Sequence, residues 1–356
     1  MANICGCAVD RLTGAEGDPR SPLWILGRDY GETEAREGGP FRGAAGHVLD
    51  KALLAAGLRR EDCFIDNCVR KQPKGNKWEA HDPQDVNEGA KRWIALVQEY
   101  KPKLVLALGN EAFRMASYND NHPGIQDARG YLWDAPLGFR LLATIHPAAA
   151  LREWTPWRVL LDVDFKKAAA ELRAGCPPLP TRKVEVVTSK RQAIDAIQML
   201  LQAPLLAVDI ENTHDMQLAC CGFAASPDEA TVFPAAEAWQ RDAIGALCES
   251  LTPKVLQNGG YDRYFLRKYA GIELRAQTFD TMLAWHVLQP ELAGQAQGKR
   301  SKRTAKSLRF LASLYSRQPW FKDYDFATED DRYVLNGTDC CVTLEIAHAT
   351  ERELAA

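Results

Sequence analysis

Between residues 22 and 147, short apolar runs alternate with amphipathic stretches, and this restricts the first half of the chain to few architectures. PLWILG (22–27), CFIDN (63–67), KLVLALG (103–109) and FRLLATIHP (139–147) read as buried strands. AAGHVLDKALLAAGL (44–58) and VNEGAKRWIALVQEY (86–100) have the spacing of helices. Such an order implies a mostly parallel sheet covered on both faces. Ligands of such sheets bind in the loops beyond the carboxyl ends of the strands. The polar residues there are Arg28, Asp29, Asn67, Asn110 and His146.

The alternation stops at AGCPPLPTRK (174–183), whose prolines cannot continue a helix and which reads as an extended linker. We therefore expect domains at 1–173 and 184–356, a natural division for 356 residues. The second block opens with a strand, KVEVV, and a helix through AIDAIQMLLQ, followed by another buried strand, PLLAVDIEN (204–212). Helices are predicted around 236–251, 262–269, 280–289, 306–315 and 335–352. The stretch GQAQGKRSKRTAK (294–306) carries Lys299, Arg300, Lys302 and Arg303 among its basic residues. It reads equally as a solvated loop or as a contact to nucleic-acid phosphates. A net charge of −3 argues against wholesale coating of nucleic acid but leaves room for a local basic groove. No apolar run approaches the roughly 20 residues that cross a bilayer. The ten scattered cysteines fit free thiols of a reducing cytoplasm, so a cytoplasmic protein with no membrane partner is expected.

PLLAVDIEN places Asp209 and Glu211 two apart at a strand end, which puts both side chains on one face. Alone, a D-x-E pair reads as solvated acids. More acids follow in order: Asp262 after the glycine turn of VLQNGGYDRYFL (255–266), and Asp339 in YVLNGTDCCVT (333–343). Together with DTMLA and KSLRFLA, these stretches resemble the DEDD superfamily of 3′–5′ exonucleases, specifically the proofreading domain of family A DNA polymerases. The resemblance implies a ribonuclease H-like α/β domain in which Asp209, Glu211, Asp262 and Asp339 bind two divalent cations, with Asn258 on the DNA. Oxygen-only donors select Mg²⁺ or Mn²⁺. In that family a tyrosine stands four residues before the last aspartate and orients the attacking water. Here that position is Leu335, and the nearest tyrosine, Tyr333, is six before Asp339. Either Tyr333 reaches in from a shifted turn or the water lacks its usual partner, a loss of about 10²–10⁴-fold.

In the first block, ILGRDYGETEAREGGPFRGAAGHVLDKAL, FIDNCVRKQPKGN, KPKLVLALGNEA and ATIHPAAALR resemble the uracil-DNA glycosylase superfamily. The branch most similar is the cluster-containing one with its relatives fused to phage polymerases. A three-layer parallel-sheet domain is implied. In it Phe41 would stack a flipped base, Asn67 would read its edge, and His146 would stabilise the leaving anion. Asp29 would activate water, and Leu151 with Arg152 would wedge the duplex and hold phosphate. The first motif departs from the branch, being GRDYG rather than G-E-x-P-G. The branch also binds an iron–sulfur cluster through four cysteines. Here Cys5 and Cys7 stand near two of the positions, while the other two fall on Lys71 and near Gly89, so no cluster is expected.

The resulting expectation is a metal-dependent 3′–5′ DNA exonuclease fused to a glycosylase-like domain, with the polymerase domain absent and a separate polymerase chain as a possible partner. Single-stranded or frayed 3′ ends in a bacterial or phage-infected cell would be its substrate. Two alternatives stand beside it: a non-catalytic DNA-binding scaffold, and a uracil repair enzyme that trims the ends it makes.

Overall fold

The computed structural model describes residues 12–119, 121–152, 154–293, 305–320 and 328–356. The chain divides into two compact units, Met1–Leu179 and Pro180–Ala356. Among the described residues no helix is long and apolar enough to cross a membrane.

The first unit is built on a five-stranded sheet of order β2-β1-β3-β5-β4. Its strands are β1 (Leu23–Asp29), β2 (Phe64–Val69), β3 (Leu104–Leu108), β4 (Leu132–Asp134) and β5 (Arg140–Thr144). β1 pairs in parallel with β2 and β3, and β3 with β5. The short β4 runs antiparallel to β5, so the sheet is mixed at that edge rather than wholly parallel. Side chains alternate between two apolar layers. Leu23 and Ile25 of β1, with Leu104, Leu106 and Leu108 of β3, enter one core. Trp24, Leu26, Val105 and Ala107 enter the other. A strand buried on both faces carries no polar alternation, which is why these segments read as continuous apolar runs. Helices α1 (Ala44–Ala55), α2 (Pro83–Tyr100), α3 (Asn110–Ser117), α4 (Pro147–Arg152) and α5 (Trp154–Arg173) complete the layers.

The second unit has a six-stranded sheet of order β11-β10-β7-β8-β9-β6. These are β6 (Lys183–Val186), β7 (Leu206–Asn212), β8 (Leu218–Ala224), β9 (Glu229–Pro234), β10 (Lys254–Leu256) and β11 (Gln277–Asp280). β7–β8–β9 form an antiparallel meander, and β10 pairs with β7 in parallel. On β7, Leu206, Val208 and Ile210 pack into the core that includes residues of α6 (Lys190–Leu200) and α7 (Ala238–Cys248). Ala207 points the other way, against Cys340, Cys341, Leu344 and Ala347. The period of two therefore turns Asp209 and Glu211 toward the face covered by the long helix that carries those residues. Further helices include α8 (Gly259–Phe265), α9 (Thr281–Leu288), α10 (Leu308–Tyr315) and α11 (Glu329–Leu354).

Candidate functional sites

In the second unit, Asp209 and Glu211 of β7 meet Asp339 of α11, with one oxygen from each lying within 4.8 Å of the others. Asp262 comes from α8, which follows β10, the parallel neighbour of β7. Asp262 is buried, 5% exposed, and the backbone of Ile210, on the strand that carries the pair, partly offsets the rise in its pKa. The grouping is electrostatically expensive. Burial first, then the charges of Asp262, Asp339 and Glu211, raise Asp209 well above its ordinary value. Burial raises Asp262 to about 7 and, with the Glu211 charge, does the same to Asp339. Glu211 is raised by burial and eased by Arg332. Asp339 Oδ1 is buried with no hydrogen-bond partner. Buried acids held this close are tolerable when cations neutralise them, and an all-oxygen donor set with an unpaired carboxylate oxygen fits a hard divalent cation.

Helix α11 determines which neighbours reach the acids. At 100° per residue, Arg332 and Asn336 lie on the same side of the helix as Asp339, whereas Tyr333 is about a third of a turn away. The Tyr333 hydroxyl donates to Glu329 Oε2 at 3.3 Å, and burial raises its pKa to about 12. Leu335, in the place of the usual tyrosine, is buried. Asn336 escaped the sequence reading. It is fully buried, and its Nδ2 donates to Asp209 Oδ2 at 2.7 Å. Its only signal in the sequence was a position three before Asp339, one helical step on the same face.

Asn258 is exposed and adopts a left-handed φ of 59° at the start of α8. Its amide and that of Gly259 donate to the Asp280 carboxylate, at 3.3 and 2.8 Å. Asp280 also accepts from Met282 and Leu283, so one side chain ties the starts of α8 and α9 together. Lys299, Arg300, Lys302 and Arg303 lie outside the described residues.

In the first unit, Asp29 ends β1 with its carboxylate clamped: Oδ1 accepts from Arg28 Nε at 2.9 Å and Oδ2 faces His81 Nε2 at 3.0 Å. The Asp29 and His81 side chains are only 6% and 2% exposed. His81 was not anticipated, because 52 residues separate it from Asp29. Asp29 and His146 both line a cavity of about 500 Å³, together with Arg28, Arg152 and Trp157. Arg152 and Leu151 are exposed at the end of α4. Burial, then the charges of Arg28 and Arg152, lower His146 to about 4. Its Nδ1 accepts from the Ala148 amide at 3.2 Å, which leaves the proton of the neutral ring on Nε2.

Phe41 and Asn67 are absent from that cavity's lining and sit together over Gly27. A Cβ on Gly27 would fall 2.5 Å from Phe41 Cζ and closer still to Asn67 Oδ1. Phe41 stacks on His146, ring centroids 5.6 Å apart at 28°. Its φ of 51° is a strained value for an aromatic residue. The loop is held from both sides. Glu34 accepts from the amides of Arg42 and Gly43 at 2.8 and 2.9 Å, and Arg60 Nη2 donates to the Pro40 carbonyl at 2.9 Å. Asn67 is 2% exposed, and its Oδ1 has no hydrogen-bond partner.

An iron–sulfur cluster does not fit the residues described. Lys71 pairs with Asp85 at 2.5 Å, and a Cβ on Gly89 would collide with the Cys68 carbonyl oxygen. Cys5 and Cys7 lie outside the described residues.

Residues 15–173 match the family model of the uracil DNA glycosylase superfamily, and residues 184–354 match that of a 3′–5′ exonuclease. The chain is 31% identical over 166 residues to the type-4 uracil-DNA glycosylase of Saccharolobus solfataricus, covering 44% of this chain and 74% of that protein. With the Thermotoga maritima type-4 enzyme it shares 30% over 160 residues, 44% of this chain and 81% of the relative. Among solved structures, the POL domain of Pol1 from M. smegmatis aligns at 19% identity and a TM-score of 0.37, over 49% of this chain and 28% of that one. Escherichia coli RNase D aligns at 16% and 0.34, over 49% of this chain and 45% of that one.

Proposed function

We propose, for a chain that belongs to the uracil DNA glycosylase superfamily across its first half and carries a 3′–5′ exonuclease domain across its second, that it hydrolyses DNA from the 3′ end with divalent metal. Residues 1–173 and 184–356 are taken as the two domains, joined by 174–183. The observation that supports the nuclease reading is the convergence of Asp209, Glu211 and Asp339 within 4.8 Å, with Asp262 beside them.

Bound Mg²⁺ or Mn²⁺ would supply an activated water and stabilise the leaving 3′-oxygen. The four carboxylates would hold the cations, and their own mutual repulsion would fall on binding. Exposed Asn258 is suited to contact the terminal nucleotide. Leu335 carries no group to orient the water, so slow turnover is expected. Single-stranded or frayed ends are the substrate we favour, with a separate polymerase chain as the source of such ends in a bacterial or phage-infected cell. The test is a single-stranded oligonucleotide with Mg²⁺ or Mn²⁺, wild type beside Asp209→Ala. Equal survival of the strand in both reactions defeats the reading.

A second activity is favoured by the unpaired Asn67 Oδ1 beside the Phe41–His146 stack. An acceptor buried without a partner is costly, and the N3–H of a flipped uracil would satisfy it. Phe41 would stack that base, neutral His146 would donate from Nε2 to O2 and stabilise the leaving anion, and Asp29 would receive the proton of an attacking water. Arg152 would grip a flanking phosphate. A uracil-containing strand treated with alkali tests this. Absence of cleavage, or cleavage that persists unchanged in Asp29→Ala, defeats it.

A further inference from the structure

The acids of the second unit are supported by one neutral side chain placed to act on them. Asn336 is fully buried, its Nδ2 donates to Asp209 Oδ2 at 2.7 Å, and the two residues are 127 apart in sequence. The bond has a fixed polarity. An amide nitrogen only donates and a carboxylate only accepts, so the bond orients the Asp209 carboxylate and leaves it lone pairs for another ligand. The far side of the amide is equally specific. Asn336 Oδ1 has no hydrogen-bond partner, and the space it occupies exists because residue 222 is glycine. A Cβ on Gly222 would come 2.5 Å from that oxygen and 2.8 Å from Cys340 Sγ. Gly222 is the cross-strand partner of Asp209 in the β7–β8 pair, so the glycine opens room where the amide must pass to reach the carboxylate. A buried asparagine with one unsatisfied oxygen is a poor device for stability alone.

We infer that Asn336 is a positioning residue of the metal centre: it fixes the rotamer of Asp209 and so orients that carboxylate for a divalent cation, with Gly222 as the space that permits it. This rests on the metal-dependent nuclease reading above. Partners that orient a metal ligand from behind typically govern 10–100-fold of metal affinity or activity. Asn336→Leu keeps the γ-branched shape and removes the donor. Gly222→Ala keeps every polar group and displaces the amide.

The experiment measures Mn²⁺ binding by calorimetry and by the rise in melting temperature on adding Mn²⁺, for wild type, Asp209→Ala, Asn336→Leu, Asn336→Ser and Gly222→Ala. Asn336→Leu and Gly222→Ala are expected to bind Mn²⁺ about 10–100-fold more weakly. In exonuclease assays at fixed Mn²⁺, kcat should fall while KM for the oligonucleotide stays within twofold. Asn336→Ser retains a donor, and partial recovery of affinity is expected. Mn²⁺ affinity within twofold of wild type in both Asn336→Leu and Gly222→Ala overturns the inference. So does failure of every variant at these positions to fold, which assigns the pair to the fold instead. Wild type that binds no Mn²⁺ refutes the metal reading itself, and the Asp209→Ala control separates that result from failure of the inference alone.

Discussion

Replacing Asp339 by asparagine should stabilise the metal-free protein while removing its capacity to hold metal. The carboxyl is buried, its Oδ1 is unpaired, and burial with the Glu211 charge raises it from 3.8 to about 7. A folded-state value above the unfolded one means that the native state holds the proton more tightly. Stability is therefore unaffected below 3.8, falls as pH rises from there to about 7, and carries the full penalty above. At 1.36 kcal/mol per pH unit the interval amounts to about 4 kcal/mol. Asp209 and Asp262 share the titration, so one substitution should recover about 2–3 kcal/mol. In a unit of this size that is a shift of roughly 4–12 °C. Scanning calorimetry in EDTA at pH 8 should show one transition moved upward in Asp339→Asn, with the gap reduced to about a third at pH 5. Added Mn²⁺ should raise the melting temperature of wild type and leave the variant unmoved. If Asp339→Asn melts at or below wild type in EDTA at pH 8, or the gap ignores pH, the electrostatic reasoning fails.

Three further outcomes follow from the first unit. Gly27→Ala, by driving a methyl group into Phe41 and Asn67, should reduce uracil excision at least 10-fold while exonuclease activity stays within twofold of wild type; loss of both would contradict independent sites. His81→Ala removes one of the two groups clamping Asp29, and uracil release should slow about 10–100-fold with substrate affinity unchanged, as read from single-turnover rates against oligonucleotide concentration. His146, lowered to about 4, stays neutral across ordinary pH, so excision should not decline with a midpoint near 6.5 as pH drops from 8 to 5; such a midpoint, abolished in His146→Gln, would refute the neutral assignment.

Much of this was readable from the chain because the informative residues sit beside strong local signals. Asp209 and Glu211 stand at the end of an apolar strand, where a period of two places them on one face, and β7 turns both toward α11 as that period requires. Asp262 follows a glycine turn, and Asp339 lies in a helix whose apolar residues pack on β7. What stayed hidden depends on tertiary placement. Asn336 and His81 act through side chains across 127 and 52 residues, with no local pattern to mark them. Tyr333 illustrates the opposite difficulty: a residue of suitable chemistry stands near in sequence, but the helix turns its hydroxyl to Glu329. The strand β8, LACCGFA, gave a weak signal because alanine, cysteine and glycine dominate it and only Leu218 and Phe223 are large apolar residues.

The central claim is that the acids of β7, α8 and α11 cut DNA from its 3′ end. A 5′-labelled single strand incubated with the whole chain and Mn²⁺ should shorten stepwise from the 3′ terminus, stop on addition of EDTA, and remain intact with Asp209→Ala or Asp339→Ala. A strand that stays whole with wild type, or a ladder of equal intensity from both variants, would contradict it.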